Sequence, residues 1–475
     1  MAHPETYPRL EESLRRLWEE DVVPALSHYT TIPCLSPAFD ADWEHDGHLA
    51  TAAALLANWG RTRRVEGLFV EVVASAGRTP IVLAEAAGTK GATGTVLIYG
   101  HLDKQPPLGT WREGLGPFSP VRLGERLYGR GTADDGYAFF AALGALESLD
   151  AAGTPRPRVV VLVEASEESG SPDLAAHLDA HSTRLGRPDL VICLDSGCLS
   201  YDRLWLTSSL RGNLVATVGV QVLTEGVHSG SAGGVVPTSF RLLRRLLDRL
   251  EDPVTGEVRL EELHGDVPPQ VAQGAEGVDW RAADVFPVVP GLTLAGRSEA
   301  ERLVRRSWLP SLTVTGIDGI PSVRDGGNVL RPSTTVKISL RLPPSIDATR
   351  AVTALERVLT DDPPEGAAVS VHVETPANGW VAPALEHWVT DAFAETSMEV
   401  FGNPPGSLGE GGTIPFLAML GARYPGVPLV ATGVLGPGSN AHGPNEFLHL
   451  PMAEAVTAAT ARLLAATATR SRPPG

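Results

Sequence analysis

Four continuous apolar runs of strand length, each leading into a carboxylate or a histidine, constrain this chain more than any other feature. TVLIYG (residues 95–100) runs into His101, and RVVVLVEA (158–165) leads to Glu167 and Glu168. DLVICLD (189–195) ends on Asp195, and VPLVATGVL (427–435) precedes His442. Runs without polar alternation belong to strands buried on both faces, and helices cover such sheets. The intervening segments supply them: Leu10, Leu14 and Leu17 have helical spacing, and residues 48–59 and 135–149 are rich in Ala and Leu. The expectation is an α/β protein, with a mixed sheet covered by helices on both faces.

The pattern changes near Leu206. LVATVGVQVL reads as a half-exposed strand, and residues 239–252 form an amphipathic helix with a basic face. VKISLRL alternates strictly, with Val336, Ile338, Leu340 and Leu342 on one side; a helix over 347–359 and the alternating strand VSVHVE follow. A helix over 384–393 and the run 427–435 then return to the first style. At 475 residues the chain exceeds what one core usually organises. We therefore expect a catalytic domain in two parts, 1–207 and 381–475, interrupted by an α+β lid or dimerisation domain at 208–380.

The formal net charge of -17 argues against a nucleic-acid partner. No stretch approaches the roughly 20 apolar residues of a membrane span, and the charged N-terminus lacks the apolar region of a signal peptide. Cys34, Cys193 and Cys198 are too few and too unevenly spaced for a disulfide framework or a zinc cluster. A soluble, cytoplasmic protein is the expectation.

The candidate chemistry lies where the runs end: GHLDKQP with His101 and Asp103, GRGTADDG with Asp134 and Asp135, EASEESGS with Glu167 and Glu168, then Asp195, and SNAHGPNE with His442. Each has an ordinary explanation as a turn or a solvated loop. Their conjunction does not, because open α/β sheets bind ligands outside the carboxyl ends of their strands. Imidazole with carboxylate is the ligand set of catalytic zinc and similar divalent ions.

In order and approximate spacing, GHLD-x-QP, GRGT-x-DD, EESGS, LRG, HSG and EGGT resemble the motifs of the dinuclear-zinc aminoacylase and dipeptidase family, nearest its dipeptidase branch. The resemblance covers nearly the whole chain. It implies a homodimeric metallopeptidase with two divalent ions, Zn2+ first, Mn2+ or Co2+ as alternatives. It implies Asp134 as the bridging ligand, His101 and Asp195 completing one site, Glu168 and His442 the other, and a cis peptide between Asp134 and Asp135. Glu167 would be the general base and then the proton donor to the leaving amine. Asp103 would accept from the far ring nitrogen of His101. In the lid, His228 would polarise the scissile carbonyl, reaching across a dimer, with Asn328 assisting it. Arg341, together with Gly411, Gly412 and Thr413, would hold the substrate carboxylate.

The chemistry also stands on the residues. Two divalent cations carry four positive charges and three ligand carboxylates offset three, which favours a water activated near neutral pH. The expected reaction is hydrolysis of a dipeptide or a similar small substrate bearing a carboxylate. Removal of an acyl group from an N-acyl amino acid at the same centre is the alternative. A non-catalytic metal scaffold would not need Glu167, and the P-loop pattern of a nucleotide site is missing. Two departures from the family stand out: Gly136 and Tyr137 replace the usual Lys-Gly after the Asp pair, and Lys104 sits beside a metal-ligand turn.

Overall fold

The computed structural model describes residues 6–374, 376–412 and 414–470. Its central sheet has six strands in the order Leu68–Ser75, Arg78–Ala86, Arg158–Glu164, Thr95–His101, Leu190–Cys193, Leu429–Ala431. The first two strands run antiparallel to their neighbours and the last four are mutually parallel, so the sheet is mixed as expected.

Both faces are covered, which explains the unbroken apolar runs. Along the strand Arg158–Glu164, Val159, Val161 and Val163 enter one core while Val160 and Leu162 enter the other. Val96 and Ile98 part from Leu97 and Tyr99 in the same way. The first core receives the helices His48–Arg61, Tyr137–Ala151 and Leu450–Thr469 through Leu56, Leu146 and Leu464. The second receives Leu174–Ala180 and Pro415–Arg423, where Phe416 stacks on Tyr99 with ring centroids 3.4 Å apart.

A second, fully antiparallel sheet orders Ser311–Asp318, Ser333–Leu342, Gly212–Gln221 and Ala368–Val373. Its inner face (Leu214, Ala216, Val218, Val220, Val336, Ile338, Leu340 and Leu342) packs on the helices Ser239–Leu250 and Ala348–Thr360. A small third sheet pairs Trp205–Leu210 in parallel with Gly406–Glu410, so the entry to the second sheet meets the return to the first.

Three features differ from the sequence pattern. The helix expected over 384–393 is His387–Phe401, closed by Gly402 in the left-handed conformation at φ 70°. The run 427–435 is strand only over Leu429–Ala431 and then loops toward His442. Residues 269–308 lie within the expected lid span, yet Trp280, Ala282 and Leu303 join the first core of the central sheet. Among the described residues no helix is long and apolar enough to cross a membrane.

Candidate metal centre

The parallel strands deliver their carboxyl ends to one place. His101 is the last residue of its strand, the Glu167–Ser169 turn begins three residues after Glu164, and Asp195 lies two residues past Cys193. Asp134 sits in the turn Thr132–Gly136 ahead of the buried helix Tyr137–Ala151, and the Asp134–Asp135 peptide is cis.

These side chains form two groups that share one carboxylate. His101, Asp134 and Asp195 present ligand atoms within 4.8 Å of one another, and so do Asp134, Glu168 and His442. The two oxygens of Asp134 divide between them: Oδ1 lies 3.4 Å from His101 Nε2, and Oδ2 lies 3.1 Å from His442 Nε2. His101 Nε2 is also 3.8 Å from Asp195 Oδ2, and His442 Nε2 is 3.4 Å from Glu168 Oε2.

The residues fit divalent cations. His101 Nδ1 lies 3.1 Å from the carbonyl oxygen of Asp103, which places its proton there. Nε2 then carries a lone pair, is buried, and has no hydrogen-bond partner. A lone pair among carboxylate oxygens is repelled unless a positive charge stands between them. Burial opposes charging His101, but Asp195, Asp103 and Asp134 outweigh it and push the imidazole well above its usual value. Burial, joined by the charge of Asp134, pushes Asp195 to about 6 and Glu168 to about 8. Burial, then the charge of Asp195, raises Glu167 well above the usual carboxylate range. Asp134 runs the other way: burial penalises its charge, yet the neighbouring imidazoles of His101 and His442 hold its carboxyl far below that range. A pocket that strains this many carboxylates is complementary to cations.

Asp103 contributes differently from the expectation. Its carbonyl, not its carboxylate, is the nearer partner of the His101 ring, with Oδ1 at 3.5 Å from Nδ1. The carboxylate accepts the backbone N–H groups of Glu167 at 3.1 Å and Glu168 at 3.0 Å. It thus fixes the turn that carries both glutamates.

Lys104 points away from the acidic cluster. Its ammonium is buried and donates to the carbonyls of Tyr29, Thr30 and Ile32 at 3.1, 3.2 and 2.8 Å, and it lies over the Tyr29 ring. It closes the C-terminal end of the helix Val23–Thr30, where the helix dipole favours a cation. Gly136 is required by close approach: a Cβ there would collide with the Gly131 carbonyl and the Tyr29 ring. The Tyr137 hydroxyl donates to the carbonyl of Leu194, the residue before Asp195. The two departures from the family pattern are thereby coupled through Tyr29.

The sequence did not point to Arg130 and Glu446, which form a buried ion pair at 2.5 Å. The other Glu446 oxygen accepts the N–H groups of Gly131, Ala133 and Asp134 at 3.0, 3.3 and 3.3 Å. Arg130 also donates to the Gly443 carbonyl at 2.8 Å. This pair clips the His442 loop to the Asp134 turn, and their separation in sequence hides it.

The remaining expected residues lie on the second sheet and the 409–413 loop. His228 is exposed at the start of a short turn, its ring accepting from Gly230 N at 3.1 Å; the hydrogen bonds and ion pairs of the described residues do not join it to the acidic cluster. Asn328 is exposed, and its carbonyl accepts from Ser229 N at 3.0 Å. Arg341 is half-buried on the polar face of its strand, and burial lowers its guanidinium below the usual value. Gly411 and Gly412 follow the strand Gly406–Glu410, and Thr413 lies outside the described residues.

Comparison with known proteins places the chain among dipeptidase-like sequences. The chain is 28% identical over 398 residues to a cysteinylglycine-S-conjugate dipeptidase of Corynebacterium striatum, covering 77% of this chain and 80% of that protein. It is 25% identical over 391 residues to the human Beta-Ala-His dipeptidase, covering 78% and 74%. The structure of the dipeptidase Dug1p from Saccharomyces cerevisiae superposes with a TM-score of 0.83 at 20% identity, covering 99% of this chain and 100% of that one, which speaks to the fold alone. Residues 97–469 match peptidase family M20/M25/M40, and the chain belongs to that family.

Proposed function

We propose that the chain is a metal-dependent dipeptidase whose two ions, Zn2+ first, are held by His101, Asp134 and Asp195 on one side and by Asp134, Glu168 and His442 on the other. The observation that carries this reading is the pair of ligand groups sharing Asp134. Ions bound there would supply Lewis acidity to the scissile carbonyl and lower the pKa of water. Glu167 takes the proton from the attacking water at its carboxylate and returns it to the leaving amine. Asp103 orients Glu167 and Glu168 through their backbone, and Arg341 receives the substrate carboxylate with Gly411, Gly412 and Thr413.

The names of the relatives favour dipeptide cleavage over removal of an acyl group. The test is a panel of dipeptides beside N-acetyl amino acids, run with metal-stripped and Zn2+-restored protein. We expect metal-dependent cleavage of the dipeptides. Cleavage of acyl amino acids alone would replace the proposed substrate class.

The chain divides into a catalytic part at 1–207 and 381–475 and a lid at 208–380 that joins two copies, with residues 269–308 of the lid span packed against the catalytic core. The lid's edge strand Ser311–Asp318 supports this by exposing Val314 and Ile317, and Val235 and Val329 are exposed beside the His228 turn. In such a dimer His228, assisted by Asn328, serves the partner's site as donor to the scissile carbonyl oxygen. A monomer with full activity in light scattering would remove the cross-subunit role. The free, buried Cys34, Cys193 and Cys198 fit a reducing compartment such as the cytoplasm.

A further inference from the structure

One buried carboxylate beside the acidic cluster has no part in the chemistry described so far. Glu164 ends the strand Arg158–Glu164, is 1% exposed, and pairs with His101 in the parallel ladder. Its Oε1 accepts the Tyr99 hydroxyl at 2.6 Å and the Ser171 hydroxyl at 2.8 Å, and its Oε2 accepts the Ser166 hydroxyl at 3.2 Å. Tyr99 is a fixed partner, since its ring is buried in the second core and stacked on Phe416. Ser166 and Ser171 flank the Glu167–Ser169 turn, which carries both glutamates of the site.

That turn has to be held in place. The Ser166 carbonyl accepts the N–H groups of Ser169 at 3.1 Å and Ser171 at 3.0 Å, so the chain closes back on itself. Closure puts Ser171 in the left-handed region at φ 55°, a conformation that persists in a residue with a side chain only where its surroundings enforce it. The hydroxyl contact of Ser171 with Glu164 is one such restraint. Two carboxylates therefore divide the turn between them. Asp103 receives the backbone N–H groups of its middle, and Glu164 receives the hydroxyls at its two ends. Glu168 has an anchor of its own, because Gln105 Nε2 donates to its Oε2 at 2.7 Å. Loosening the ends of the turn thus displaces Glu167 before it displaces the metal ligand beside it.

We propose that Glu164 is a positioning residue for the general base: seated on Tyr99, its carboxylate ties Ser166 to Ser171 and thereby aims the Glu167 side chain at the attacking water. The proposal rests on the reading of Glu167 as that base. Glu164 itself touches neither an ion nor the substrate, so its contribution lies in the geometry of the proton transfer and not in binding.

The test measures kcat and KM on the best substrate of the panel above, together with zinc bound per chain and thermal midpoint. Glu164→Leu removes both acceptor oxygens, and kcat should fall about 10- to 100-fold, as misplacing a reacting group by about an ångström does, with KM and bound zinc unchanged. Glu164→Gln keeps one oxygen for Tyr99 and Ser171 and turns an amide N–H toward the Ser166 hydroxyl, which can accept it, so kcat should recover to within about threefold of wild type. In a Glu167→Gln background, Glu164→Leu should lower kcat no further, since the group it aims is gone. Should Glu164→Leu fail to fold, Ser166→Ala and Ser171→Ala, each removing one hydroxyl from the carboxylate, take its place with a fall of about threefold or more. Wild-type kcat in these variants, or a fall of equal size with Glu167 already replaced, would overturn the positioning role. So would a Glu164→Gln protein as slow as Glu164→Leu, because charge and not hydrogen-bond geometry would then be at work. A Glu167→Gln protein as active as the wild type would instead overturn the general-base reading.

Discussion

Lys104 and Glu167 sit close in the fold to the same metal-ligand turns, yet the first serves the scaffold and the second the chemistry. Lys104 turns its ammonium into the end of the helix Val23–Thr30, where three carbonyls receive it. Lys104→Met should therefore lower unfolding free energy by about 2 kcal/mol, the order of charged hydrogen bonds lost at a helix terminus. Metal content and kcat/KM should stay within about twofold of wild type in the same preparation, because the side chain leads away from the acidic cluster. A large fall in bound metal without a fall in stability would contradict this. Glu167→Gln should behave in the opposite sense: kcat falling about 100-fold or more, as loss of a general base predicts, with bound metal and thermal midpoint unchanged. Metal loss in that variant would make Glu167 a ligand. From the sequence, Lys104 was visible only as a departure beside a ligand turn. Which way a side chain turns is set by distant carbonyls, here those of Tyr29, Thr30 and Ile32, and no local pattern encodes them.

Among the elements, the joint between the Asp134 turn and the His442 loop matters most, since the two segments lie far apart in the chain and must hold one ion together. Arg130 and Glu446 make that joint, both buried. Removing one partner of a buried ion pair leaves an uncompensated charge, so Arg130→Met should destabilise the fold by about 3–5 kcal/mol in denaturant titrations. A change below about 1 kcal/mol would mean that the pair is not a structural clip. The final helix Leu450–Thr469 carries a milder strain. Burial pushes Glu454 to about 7, against opposing attraction from Arg15, with the charge of Glu19 adding to the rise. A carboxyl whose folded pKa is raised favours the folded state when protonated, so stability falls as pH rises from its unfolded value of about 4.3 through 7. Glu454→Gln should thus raise the thermal midpoint at pH 8, by the equivalent of about 1 kcal/mol after solvent screening, and leave it unchanged at pH 4. An equal gain at both pH values would point to packing instead of ionisation.

At the scale of the whole molecule, the sheet covered on both faces and the antiparallel second sheet were legible because hydrophobic period survives in the sequence. Val159 to Val163 run unbroken since both faces are buried, and Val336, Ile338, Leu340 and Leu342 alternate since one face is. The strand Arg78–Ala86 was harder to see, because Pro80 within it argues against a strand that is paired on both sides. The acidic clusters could be read as five turns, but their meeting depends on strand order: Thr95–His101 lies between Arg158–Glu164 and Leu190–Cys193, which brings the ends of three strands together.

The shared carboxylate of Asp134 is the centre of the proposal, and the most direct test is to count metal ions per chain. Wild-type protein loaded with Zn2+ and freed of excess should carry two. Asp195→Ala should keep one, His442→Ala should keep one, and Asp134→Ala should lose both or bind them far more weakly. Two tightly held ions in the Asp134→Ala protein, or a wild type that never exceeds one, would contradict a dinuclear centre built on that residue.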